Sequence, residues 1–101
     1  MKMLMIVDFP PEPFNTMMKK GTLGETIGRQ LGEMKPEAAY FIEHDGVRCA
    51  VLVVEMVDAS DIPALAEPWF LTFNANVQFN IAMIPEDLEK AGLDAVGKQW
   101  A

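Results

Sequence analysis

Asp8 and the only histidine of the chain, His44, are the residues best suited to moving a proton. A carboxylate beside an imidazole orients the ring and tunes its proton affinity near neutral pH, the minimum an acid–base site requires. Asn74, Asn76, Gln78 and Asn80 recur at every second position. In an extended segment that spacing puts four amides on one face. They donate and accept hydrogen bonds without charge, which suits a wall facing a small polar or amphipathic ligand. Asn is disfavoured in strands, and an edge strand with one wet face is the plainer explanation for three of them. Arg48 adds a guanidinium beside the same hairpin as His44. The catalytic candidates are therefore Asp8 and His44, and the ligand-binding candidates are Asn74, Asn76, Gln78, Asn80 and Arg48.

Other chemistries find little support. His44 and Cys49 lie five residues apart on a hairpin with no third ligand in evidence, so neither a metal site nor a cofactor is expected. There is no phosphate loop, dinucleotide fingerprint or nucleophile elbow. Fifteen acidic against eight basic residues give a net charge of −7. That charge opposes a phosphate backbone and an anionic bilayer alike, so neither nucleic acid nor membrane is an expected partner. A lone Cys49 excludes an internal disulfide and fits a reducing compartment. The N-terminus lacks the features of a signal peptide, and no apolar run approaches a membrane span; a cytoplasmic location is expected. The 101 residues fit a single domain, residues 1–101.

The elements that must hold these residues follow from the pattern. Residues 2–8 read as a strand ended by the Phe9–Pro13 proline cluster, and Phe14–Lys20 as a short helix stopped by Gly21. Thr22-Leu23-Gly24-Glu25 has the form of a capping box for a helix whose apolar face is Leu23, Ile27, Leu31 and Met34. Gly24, Gly28 and Gly32 form a stripe on that helix. Each costs about 1 kcal/mol against Ala, which points to close helix–sheet packing, or else to a groove for a ligand or partner helix. Ala38–Glu43 and Val47–Met56 are strands joined by His44-Asp45-Gly46, a hairpin signal. Ser60 is the expected N-cap of the next helix, with Pro68 interrupting it before Trp69-Phe70. Residues 74–83 form the last strand. Pro85 opens a terminal helix broken at Gly92 and Gly97, and Trp100 needs a surface on which to dock.

The order β-α-β-β-α-β followed by a helix is that of an α+β ferredoxin-like fold with an antiparallel sheet ordered 4-1-3-2. Met3–Val7 and Ala50–Val54 are apolar at odd and even positions alike, as central strands covered on both faces must be. The helices suffice for one face only, so the other is expected to meet a second copy of the chain.

The segments Lys35–Phe41, Ala66–Phe70 and Pro85–Leu88 resemble those of an uncharacterised bacterial branch of the dimeric α+β barrel superfamily. The resemblance implies a homodimer with two sheets face to face. The wider superfamily holds cofactor-free oxygenases, isomerases, haem proteins and proteins of no known activity, so it supports fold and assembly rather than a reaction. Three functional expectations follow. The first is a small-molecule-binding or non-catalytic homodimer. The second is a small cofactor-free oxygenase or isomerase with an acid–base site at the sheet rim. The third is a structural or regulatory subunit without a cavity.

Overall fold

β1 (Lys2–Phe9) carries Met3, Met5, Val7 and Phe9 on one face and Leu4, Ile6 and Asp8 on the other, and it stops where Pro10 removes the next amide donor. The computed structural model describes residues 1–101. β1 is followed by α1 (Pro11–Lys20) and α2 (Leu23–Met34), then the hairpin of β2 (Ala38–His44) and β3 (Val47–Glu55). A short 3₁₀ turn, Ala59–Asp61, leads into α3 (Ile62–Phe73). β4 (Asn76–Ile81), α4 (Pro85–Ala91) and α5 (Leu93–Gln99) complete the chain. All strand pairs are antiparallel and the sheet order is β2-β3-β1-β4. This is the expected α+β ferredoxin-like arrangement, with β1 and β3 central.

The core lies on one side of the sheet. Met3, Met5, Val7 and Phe9 of β1, with Ala50, Leu52 and Val54 of β3, pack against Trp69 and Phe73 of α3. Phe14, Met17, Leu23, Ile27, Leu31 and Met34 close the cluster from α1 and α2. Phe9, Trp69 and Phe73 meet at ring-centroid distances of 5.0 to 6.0 Å, within the range of favourable aromatic pairs. Each large side chain buried here contributes about 1.5–3 kcal/mol relative to exposure. Only 13 of the 101 residues are buried, so a single core layer carries the fold.

Several local expectations are corrected. Thr22 does not cap α2: its backbone is already helical, and its hydroxyl donates back to the Met17 carbonyl at 3.3 Å. The cap preceding α3 is Asp58 rather than Ser60; its carboxylate accepts from the Ser60 amide at 2.9 Å. Pro68 does not interrupt α3. The helix runs through it, because the aromatic face Trp69–Phe73 anchors the following turn in the core, and Gln30 donates to the Pro68 carbonyl at 3.0 Å. Gly24, Gly28 and Gly32 do not pack closely on the sheet. A Cβ at any of them would meet nothing within 4 Å. Gly92, with φ of 64°, separates α4 from α5, whereas Gly97 sits inside α5.

The C-terminal part stands away from the body. The chain measures 59 × 28 × 19 Å, and its radius of gyration is 17.1 Å, against about 13 Å for a compact domain of this length. Leu88, Leu93, Val96 and Trp100 are all exposed, Trp100 at 80 %. No helix is long and apolar enough to cross a membrane.

Candidate functional site

The second face of the sheet has no helix over it. By register it carries Leu4 and Ile6 of β1, Val51 and Val53 of β3, Tyr40 and Ile42 of β2, and Asn76, Gln78 and Asn80 of β4. The middle is apolar and the β4 margin is lined with amides. At one end, Asp8 stands opposite Cys49 on one side and Asn76 on the other. Asn76 pairs with Asp8, Gln78 with Ile6 and Asn80 with Leu4.

His44 belongs to this end. The turn proper is Asp45-Gly46, both with positive φ (53° and 79°), as a two-residue hairpin of the twisted type requires. His44 is thus the last residue of β2, paired with Val47, and not a turn-tip residue. Its side chain shares a face with Cys49 and Asp8. His44 Nδ1 lies 3.1 Å from Asp8 Oδ1, while Nε2 lies 3.8 Å from Asp45 Oδ2. An ionised carboxylate can only accept, so Nδ1 donates and Nε2 is left toward solvent. The hydrogen bond to Asp8, with the charges of Asp8, Asp45 and Glu43, holds the imidazole above its usual pKa. Asp8 and His44, expected at one rim of the sheet, are thus in direct contact.

Two other candidates stand elsewhere. Asn74 is not in β4: it caps α3 in the left-handed conformation, φ 54°, its amide bonded to the Phe70 carbonyl at 2.9 Å. Asn is among the few side chains that tolerate that conformation, so Asn74 has a structural assignment outside the amide row. Arg48 lies on the helical face, its guanidinium 4.5 Å from the Phe14 ring centroid and donating to Asn15 Oδ1 at 2.6 Å. It lines a cleft of about 320 Å³ with Phe9, Pro11 and Asn15, separated by the sheet from Asp8 and His44.

One member went unforeseen. Cys49 is the only buried residue whose register puts it on the open face, at 2 % exposure. Burial first, and the Asp8 carboxylate second, push its thiol up to about 11. Ligand atoms of Asp8, His44 and Cys49 all lie within 4.8 Å of one another. The expectation that His44 and Cys49 lack a converging third ligand is therefore corrected. The third is Asp8, brought in by cross-strand register some forty residues away in sequence. The parity of His44 and Cys49 along the hairpin was the available signal: counted back from a two-residue turn, both fall on one face.

Comparison of the chain with family models, with curated proteins and with solved structures gave no match.

Proposed function

We propose that the chain is a small-molecule-binding homodimer in which the open faces of two sheets oppose each other and leave a cavity at the Asp8–His44–Asn76 end. The observation that carries this reading is the uncovered apolar field of Leu4, Ile6, Tyr40, Ile42, Val51 and Val53, bounded by amides and by one acid–imidazole pair. Four strands about 4.8 Å apart and some eight residues long present about 500 Å² of projected face. A stable interface needs about 800 Å² of accessible surface per partner. Corrugation of that face, together with the exposed Leu93, Val96 and Trp100 of the C-terminal arm, would have to supply the difference. The resemblance to dimeric α+β barrels argues the same way. A reducing cytoplasmic setting is consistent with the lone thiol.

Within such a cavity the apolar middle would hold the body of a small organic molecule, while Asn76, Gln78 and Asn80 would fix its polar groups. A thermal-shift screen of small carboxylic, phenolic and amide compounds tests it. A binder raises the melting temperature with concentration, and Asn76→Leu weakens that response. Failure of every compound, with a dimer whose facing sheets are fully packed, would favour a structural subunit instead. A second reading rests on the 3.1 Å contact between Asp8 and His44. In it, Asp8 orients the ring and Nε2 exchanges a proton with the ligand, as in a cofactor-free isomerase or oxygenase. Turnover that is lost in both Asp8→Asn and His44→Gln, with ligand affinity retained, would select it.

A further inference from the structure

We infer that Asp8, His44 and Cys49 form a binding site for a borderline-soft divalent transition cation of the Zn²⁺ type. The inference goes beyond the proposed ligand cavity and does not depend on it, because all three ligands come from one chain.

The donor set selects the class of ion. Carboxylate, imidazole and thiol together suit Zn²⁺ and its neighbours, while Mg²⁺ and Ca²⁺ demand oxygen ligands throughout. Three protein ligands with a fourth position open is the arrangement of catalytic rather than structural zinc. Their geometry is close to what is needed. Bond lengths of about 2.0–2.3 Å to the metal place tetrahedral ligand atoms roughly 3.3–3.5 Å apart. Asp8 and His44 already stand at 3.1 Å, and no pair in the cluster exceeds 4.8 Å. Rotation of the Asp8 and His44 side chains, which share one sheet face with Cys49, would be needed to close the rest.

The surroundings fit as well. Asp8 and Cys49 are direct partners on the two central strands, and His44 stands on β2 one diagonal step from Cys49. The scaffold is thus a rigid sheet on which three backbones are held by ladder hydrogen bonds. His44 Nδ1 faces the cluster, and Nε2 faces Asp45 at 3.8 Å. At that distance the exposed Asp45 carboxylate adds negative charge near the ring without a hydrogen bond to it. Cys49, 2 % exposed and within 4.8 Å of both the Asp8 carboxylate and the His44 ring, is poorly placed to attack an outside substrate. As a ligand it needs only to exchange its proton for the cation. The open fourth position faces the uncovered side of the sheet, with Asn76 next to Asp8. A bound water or ligand there would lie at the mouth of the proposed cavity.

The test is titration of the full, untagged, EDTA-treated chain with Co²⁺ under a non-chelating reductant. Cys49 is the only cysteine, so any near-ultraviolet sulfur-to-cobalt charge-transfer band reports this residue alone. The expected result is such a band, saturating at one ion per chain and displaced by Zn²⁺. Cys49→Ser removes it, and His44→Gln or Asp8→Asn weakens binding by about tenfold or more. Circular dichroism of each variant separates lost ligation from lost fold, and exposed His44 gives the variant least costly to the fold. No band with excess Co²⁺, or a band with unchanged affinity in both His44→Gln and Asp8→Asn, overturns the site. A ligand found in the thermal-shift screen of the EDTA-treated chain would leave the cavity proposal standing even then.

Discussion

An ionised Asp8 carboxylate 3.1 Å from His44 Nδ1 favours the protonated ring. In the metal-free protein, His44 should therefore titrate above the ordinary imidazole midpoint of about 6.5, and Asp8→Asn should bring it back. NMR of the ring resonances reads both values directly. The sign for stability follows from linkage. A folded pKa raised above the unfolded one contributes fully below the unfolded midpoint and is lost as pH rises through the folded midpoint. Thermal melts of the wild type and Asp8→Asn should thus differ most on the acid side of neutrality and converge above the folded His44 midpoint. Solvent around His44, 47 % exposed, keeps the difference small. Equal midpoints in the two proteins would show that the contact has no electrostatic weight.

At the level of elements, the glycine stripe of α2 is the clearest departure from economy. Gly24, Gly28 and Gly32 all point into open space. Their helical cost, about 1 kcal/mol each against Ala, is therefore uncompensated within one chain. Gly28→Ala should raise the unfolding free energy by about 0.5–1 kcal/mol in urea denaturation, with no change of assembly state. A loss of stability or a change of assembly would reveal a partner groove on that helix. The stripe also shows where sequence reading fails. Spacing locates a helical face, but it does not say whether that face meets the sheet or the solvent. The order of strands was legible because runs apolar on both faces belong in the centre, and a two-residue Asp-Gly turn sets the hairpin. A shared position of Asp8 and His44 at the sheet rim was legible from the order of elements, whereas their 3.1 Å contact needed the register. Cys49 was missed because its partner, Asp8, comes from another strand, and register across β1 and β3 is a tertiary fact. Asn74 was misplaced because every second residue from 74 to 80 is an amide, and polarity alone does not distinguish a left-handed helix cap from the first residue of a strand.

For the molecule as a whole, the decisive quantity is the surface that one chain leaves unused. The open sheet face is apolar in its middle, and the projecting arm exposes Leu93 and Val96 of α5 and Trp100 just beyond it, at three- and four-residue spacing. A monomer would expose both at once, and contiguous exposed apolar surface of this kind marks interaction sites. In the proposed face-to-face dimer the exposed side chains of the arm would be available for further contact between copies. Val51, in the middle of the face, and Trp100, at the end of the arm, separate the two contributions. Val51→Glu would bury an unpaired carboxylate in each half of the interface, raising the dimer dissociation constant by at least about a hundredfold. Since Val51 points away from the helices, the helical circular dichroism should survive. Trp100→Ser should weaken the dimer less and leave the sheet contact intact. Light scattering across a dilution series measures both. A wild-type chain that stays monomeric at micromolar concentration would remove the reason to place a cavity between two sheets. A dimer that survives Val51→Glu but not Trp100→Ser would move the interface from the sheet face to the arm.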